Sequence, residues 1–306
     1  MVYIQLLCNW CSSNDITKSW SKMAIPNKDD EECIKLTTES EKADYFVIIN
    51  GTGEFHDKKR SVVFHMEPNI VDNVNVWGTW AKAHEDPDFL CVFTHKTFYN
   101  NIEWHLSKSW TELLNEGITK TIDDRVSTVL SRKYTDPGHI LRVDFVKSVQ
   151  DRIPFDVFGE DLGYLNYKGT LPYGAKDKAL LPYKYTFNAE NNAIPNYFTE
   201  KVIDGILSEC LTFYWGCPNI ECHIDSRCYI VLPLNDKELS LKIIKQSIEG
   251  GEWEKRIDAI KLEKSRILKK MSFFSRIDNF FNFLKKKRTI NKKLTKINYD
   301  FFRFCI

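Results

Sequence analysis

No stretch of about 18 apolar residues occurs in this 306-residue chain, so the sequence offers no membrane-spanning helix. A charged leader with a small-residue cleavage site is also missing, since Met1 runs directly into the strand-like Val2-Tyr3-Ile4-Gln5-Leu6-Leu7. The expectation is a soluble, cytoplasmic protein, at most peripheral at a membrane. Regular cysteine spacing is lacking too. Nine cysteines, an odd number, fit a reducing compartment better than a disulfide framework. Cys8-x-x-Cys11 has no second pair at zinc spacing, and Cys217, Cys222, His223 and Cys228 are irregular, so free thiols and no metal site are expected. No internal repeat is present. Asn50-Gly51-Thr52-Gly53 starts like a dinucleotide loop but has His56 where the third glycine belongs, which leaves a strand-end turn. Asp86-Pro87-Asp88 has the spacing of an acidic metal triplet, but its central proline and its place between elements favour a turn.

What is present is enough apolar material for two domains, at 43% hydrophobic and 13% aromatic residues. Strand-like YIQLL, DYFVIING, SVVFH and FLCVFT alternate with helical segments such as Trp110 to Asn115. A second unit opens near Thr121 with a strand over Arg125 to Leu130, a turn at Asp136-Pro137-Gly138 and a helix from His139 to Val149. FDVFGE, YKYTF, LTFYWG and CYIVLP follow as strands. Such alternation predicts an α/β protein with parallel sheets. The expected order is two Rossmann-like domains facing a cleft, 1–120 and 121–256, followed by a basic helical tail over 257–306.

That tail differs from the rest in charge. From Lys261 onward there are 14 Lys and Arg against 3 Asp and Glu, whereas the preceding residues carry 29 against 39; the net +1 hides this. Ile267, Met271, Phe274, Ile277, Phe281 and Leu284 recur every three or four residues, as in an amphipathic helix. Two readings stay open, and they are not exclusive. The helix lies on an anionic membrane surface with Lys285, Lys286, Lys287, Arg288, Lys292 and Lys293 as its charged side, or it crosses back onto the first domain. No nucleic-acid-binding motif accompanies the charge, so no nucleic-acid partner is expected.

The most specific segment is Tyr183 to Ile220, YKYTFNAENNAIPNYFTEKVIDGILSECLTFYWGCPNI. It reads as a strand over Tyr183 to Phe187, a polar loop to Phe198, a helix from Thr199 and a strand over Leu211 to Trp215. Val202, Ile203, Ile206, Leu207 and Cys210 share one helical face, and Thr199 is a suitable N-cap. Glu200 suits the first helical turn. Lys201 does not, since it opposes the positive end of the helix dipole at a cost of a few tenths of a kcal/mol, roughly, which a bound anion would reverse.

Tyr183-Lys184-Tyr185, Glu190-Asn191, Tyr197, Thr199-Glu200-Lys201 and Tyr214-Trp215-Gly216-Cys217-Pro218 agree in order and spacing with one motif. The segment resembles the donor-binding motif of the α1,3-fucosyltransferases, the glycosyltransferase family often numbered ten. One departure is Ala189, where the family has Phe before Glu-Asn. The resemblance covers about Ser131 to Pro218 and, in the first domain, Asn9-Trp10 and the surroundings of Glu67. It implies a GT-B fold, GDP-fucose as donor, a saccharide acceptor, inversion, and no metal cofactor.

The resemblance also implies roles residue by residue. Val62-Val63-Phe64-His65-Met66-Glu67-Pro68-Asn69 is similar to the strand ending in the family's catalytic glutamate, so Glu67 is the expected base; its other reading is a solvated turn carboxylate. Asn9, Trp10 and His65 fall on the acceptor side. Ser131, Arg142 and Phe145 match an S…R…F pattern that brings Arg142, with Lys201, to the diphosphate; otherwise Arg142 is an exposed helix charge. Tyr197 and Glu200 are expected on the nucleoside and ribose, and Asn191 on the phosphate or sugar. Glu190 either touches the sugar or braces the loop.

Overall fold

The structure, a computed structural model, describes residues 2–26, 34–68, 86–95 and 102–290, with side chains to 284. The chain divides into two compact units, residues 1–101 with 270–306, and residues 102–269. Both boundaries differ from those expected. Residues 102–120 join the second unit because Trp104, Leu106 and Leu113 are buried and Trp110 Nε1 donates to Leu268 O at 2.9 Å. The basic tail is not one body, since it changes unit after Lys269.

In the first unit, strands β1 (Val2–Cys8), β2 (Ile34–Leu36), β3 (Tyr45–Ile49), β4 (Ser61–Phe64) and β5 (Cys91–Phe93) form a parallel sheet in the order β2-β1-β3-β4-β5. Its central strands are apolar in nearly every position, as a sheet covered on both faces requires, and β3 is buried throughout. Helix α1 (Ser13–Trp20) follows β1 and is capped by the Ser12 side chain, which accepts from Asp15 N.

The second unit contains α2 (Trp110–Asn115), β6 (Ile122–Leu130), α3 (Pro137–Val149), β7 (Phe155–Gly159), β8 (Tyr167–Gly169), α4 (Asp177–Leu180), β9 (Tyr183–Ala189), α5 (Glu200–Leu207), β10 (Leu211–Trp215), β11 (Tyr229–Val231), α6 (Lys237–Glu249) and α7 (Glu252–Arg266). Its sheet is again parallel, in the order β11-β10-β9-β6-β7-β8. Helix α5 buries Val202, Ile203, Ile206 and Leu207 against it, the face its periodicity requires. Gly205 lets the helix approach closely, because a Cβ there would stand 2.2 Å from Thr212 Oγ1.

After α7 the chain makes a π-helical turn, Ile267–Met271, and then forms α8 (Phe273–Ile290) in the first unit. Met271, Phe274, Ile277, Phe281 and Leu284 are buried, so the tail's apolar stripe packs on protein. Phe273 meets Trp20 edge to face at 4.8 Å and Phe64 at 5.2 Å, Phe281 meets Tyr45 at 4.5 Å, and Phe280 meets Phe93 at 5.6 Å. This is the crossing-back arrangement of the two left open. Of the expected basic face, Lys292 and Lys293 lie outside the described residues, as do the side chains of Lys285, Lys286, Lys287 and Arg288.

Because α8 supplies core to a unit that begins some 270 residues earlier, Phe280→Ala is expected to destabilise the protein by about 3–5 kcal/mol in urea unfolding. A loss below about 1 kcal/mol would show that this aromatic packing is not part of the core.

Candidate functional site

In parallel sheets the carboxyl ends of the strands gather side chains at one edge. In the first unit, Asn9 and Trp10 follow β1 and are exposed, while His65 and Glu67 follow β4. His65 is buried, and its N–H donates to Phe93 O at 2.9 Å, continuing the ladder towards β5. Glu67 is half-buried, with its Oε2 shut off from solvent.

The segment carrying Glu67 is held by a residue that sequence reading treated as a plain turn. Asn50, at the end of β3, has φ 62°, donates its N–H to Phe64 O at 2.8 Å, and accepts from Met66 N at 2.8 Å through Oδ1. Asparagine tolerates this left-handed backbone, and its carbonyl replaces a ladder partner where β4 ends. Cys8 and Cys11 flank Asn9-Trp10 with sulfurs 3.4 Å apart; all seven described cysteines are free thiols.

In the second unit, the residues expected at the donor come together around the loop after β9. Glu190 has no exposed surface. Its Oε1 accepts from Thr199 N at 2.9 Å and its Oε2 from Thr199 Oγ1 at 2.6 Å, while Lys201 Nζ lies 3.6 Å from Oε2. The Tyr214 hydroxyl approaches Oε1 at 3.5 Å. Burial pushes the Glu190 carboxyl up, against the pull of Lys201 and Thr199. Of the two roles left open for Glu190, this geometry is that of the loop brace.

Lys201 donates to Thr199 Oγ1 at 3.0 Å and lies 3.3 Å from Glu200 Oε1. Glu190 and Glu200 thus offset the dipole penalty expected for a lysine in the first turn, and no bound anion is needed to explain it. Burial would raise the Glu200 carboxyl, but Lys201, Lys176 and His105 hold it well below the usual carboxylate range, so it is an anion at neutral pH. The Tyr197 ring, expected on the nucleoside, is interior at 1% exposed.

Arg142, expected at the surface if it were an ordinary helix charge, is only 6% exposed. Its Nη1 donates to Ala189 O at 3.2 Å and Asn191 Oδ1 at 3.3 Å, and its Nη2 to Ser131 Oγ at 3.3 Å. All three acceptors are neutral. Its Nε is buried without a partner, and among the described residues no carboxylate lies within ion-pair distance of the guanidinium. Burial lowers its affinity for the proton, and Glu200 and Glu190 oppose this from a distance. An interior cation held only by neutral groups carries a desolvation penalty of several kcal/mol, roughly, that an anion in contact would offset.

Gly138 allows α3 to meet this loop. Its N–H donates to Asn191 O at 3.0 Å, and a Cβ on it would stand 1.9 Å from Glu190 O. A glycine in the first turn of a helix, unfavourable by about 1 kcal/mol against alanine, was the available sequence signal for such a close approach. Gly138, His139, Lys176, Asp204, Glu103 and His105 all border the site and were missed by sequence reasoning.

A scan against protein-family models gives no match, and neither does a search of curated proteins. Solved structures do match. A crystal structure of an α1,3-fucosyltransferase superposes with TM-score 0.52 at 16% identity, covering 97% of this chain and 92% of that one. The same enzyme type with GDP-fucose gives 0.45 at 16% identity, over 97% and 93%. WaaG, a glycosyltransferase involved in lipopolysaccharide biosynthesis, gives 0.48 at 10% identity, over 92% and 99%. At 16% identity the first match establishes the fold alone. The chain has the two parallel-sheet α/β units of the GT-B class, and its fold is similar to that of an α1,3-fucosyltransferase.

His139, buried beside Arg142, gives the site a pH signature. Burial first, then the charges of Arg142, Lys133 and Lys201, push its imidazole down from 6.5 to about 3; Asp136 Oδ2 lies 3.3 Å from its Nδ1, and burial raises that carboxyl, which weakens its opposing pull. The unfolded ring takes up its proton near 6.5 and the folded one near 3, so stability declines as pH falls from 6.5 towards 3. Urea unfolding across that window is expected to show a shallower decline for His139→Gln, and an unchanged slope would contradict the buried neutral ring.

Proposed function

We propose that this protein is an inverting glycosyltransferase that moves L-fucose from GDP-β-L-fucose to a saccharide hydroxyl, forming an α1,3 linkage to N-acetylglucosamine or glucose. The observation that carries the proposal is the buried Arg142 guanidinium, which has three neutral acceptors and an unpaired Nε, in the same loop cluster as Lys201. A diphosphate supplies the paired anionic oxygens that such a planar fork fits. The similarity in fold to an α1,3-fucosyltransferase supports the same reading.

Glu67 takes the proton of the acceptor hydroxyl. The hydroxyl oxygen then bonds to the anomeric carbon while the bond from that carbon to the β-phosphate oxygen breaks. GDP leaves with the electron pair, and a β-linked donor gives an α-linked product through an oxocarbenium-like transition state. Arg142 and Lys201 stabilise the charge that develops on the diphosphate, so the reading assigns no step to a metal ion. Glu200 accepts from the ribose hydroxyls, and Asn191 orients Arg142. Asn9, Trp10 and His65, at the carboxyl edge of the first sheet, are assigned to the acceptor.

The alternative is a catalytically silent glycan- or membrane-binding protein; against its membrane form, the described apolar stripe of the tail is buried on protein. No helix among the described residues is long and apolar enough to cross a membrane. Attachment to an anionic surface would rest on the basic residues from Lys285 onward.

Calorimetry with GDP and turnover with GDP-fucose and a saccharide acceptor separate the roles. Glu67→Ala is expected to abolish transfer while GDP affinity stays within about twofold, a difference of under 0.5 kcal/mol. Arg142→Lys, which loses the fork, is expected to weaken GDP by roughly 1.5–3 kcal/mol, about tenfold to 150-fold. Equal loss of GDP binding and turnover in Glu67→Ala would remove the base assignment. Unchanged GDP affinity in Arg142→Lys would remove the diphosphate site.

A further inference from the structure

Behind Glu200 lies a group of ionisable side chains to which the proposed reaction assigns no role. Lys176, just before α4, donates from Nζ to Asp204 Oδ2 at 2.8 Å and lies 3.4 Å from Glu200 Oε1. Its backbone N–H donates to His105 O at 2.7 Å, and the His105 N–H donates to Asp204 Oδ1 at 2.8 Å. Three hydrogen bonds therefore close a ring through three separate segments: the irregular stretch around His105, the lead into α4, and α5. Glu103 adds a carboxylate 3.7 Å from His105 Nε2.

Asp204 is four residues after Glu200, so both carboxylates fall on one face of α5, where like charges at this spacing destabilise a helix. Asp204 is 1% exposed, and Lys176 lies between the two acids. The lysine is mostly covered, and its short bond is to Asp204. It is therefore committed to the helix and is not a spare cation for a phosphate.

Glu200 is held more loosely. Its approaches to Lys176 and Lys201 run from 3.3 to 3.5 Å, longer than a strong charge-assisted bond. An ionised carboxylate accepts at about four positions, so it keeps capacity for two vicinal hydroxyls. Lys176, itself held by Asp204, stands 3.4 Å from Glu200 and, with Lys201, favours its anionic form.

We propose that Lys176 is a positioning residue that, anchored on Asp204, presents the ionised Glu200 to the ribose diol and so makes the donor site select ribonucleotides over their 2′-deoxy counterparts. This rests on the assignment of Glu200 to the ribose. Loss of Lys176 leaves two acids on one helical face without their bridge. Glu200 then no longer has a fixed direction, and the second hydroxyl contributes little.

The test is calorimetric binding of GDP and 2′-deoxy-GDP to the full chain and to Glu200→Gln, Lys176→Met, Lys176→Gln and Lys176→Arg. The wild type is expected to prefer GDP by about tenfold or more, the scale of a hydrogen bond to a charged group. Glu200→Gln should bring that ratio close to one. Lys176→Met, or Lys176→Gln should the methionine variant not fold, should fall within about threefold of Glu200→Gln, and Lys176→Arg should restore most of the preference. A Lys176 variant that binds GDP more weakly yet keeps the wild-type ratio overturns the proposal and leaves the ribose assignment standing. A wild type that binds GDP without preferring it over the deoxy form overturns the ribose assignment, and the proposal with it.

Discussion

The buried carboxylate of Glu190 is the interaction on which the second unit's site depends. With no exposed surface, it would carry a large desolvation penalty if left unpaired. The chain meets that penalty by converging on it. Thr199 gives both its N–H and its hydroxyl, Lys201 supplies the charge, and Tyr214 adds a hydroxyl from the neighbouring strand. Thr199 and Lys201 tie the start of α5 to the end of β9, and Tyr214 ties β10 to it. The loop between is held separately, by Asn196 with Asn219 and His223. Gly138 extends the same cluster to α3, and through α3 to Arg142.

Two cations therefore serve different purposes in one cluster. Lys201 is neutralised locally by Glu190 and Glu200, so its presence in the first turn of a helix is structurally accounted for. Among the described residues no contact neutralises Arg142, and its bonds to Ala189, Asn191 and Ser131 hold the fork without cancelling its charge. An under-compensated guanidinium next to a compensated ammonium is the arrangement on which the proposed diphosphate site rests. Likeness in fold by itself speaks only of architecture.

Much of the fold was legible in the sequence where the pattern is local. Leu211 to Trp215 and Trp110 to Asn115 form the strand and helix expected from them, and Thr199 caps α5. The helix over His139 to Val149 begins two residues earlier, with Pro137 in its first turn, where a missing N–H does no harm. β2 and β8, at three residues each, are too short to show alternation and were not anticipated. The tail's periodicity correctly indicated a helix, but period alone cannot say which body the apolar face will meet. Here the chain returns to the first unit and fills its core with phenylalanines. For the site, Arg142, Glu190, Glu200 and Lys201 were reachable through a motif contiguous in sequence. Lys176 and His105 were not, and the part played by Asp204, inside that same segment, appears only through its bond to His105, 99 residues away.

If Arg142 and Lys201 hold a nucleotide diphosphate, an experimental structure of the protein with GDP bound will show it. The diphosphate is expected within hydrogen-bond reach of both residues, roughly 2.7–3.2 Å, with the Arg142 Nε or a terminal nitrogen turned from a neutral acceptor to a phosphate oxygen. GDP bound elsewhere, or bound with Arg142 still held only by Ala189, Asn191 and Ser131, would contradict it.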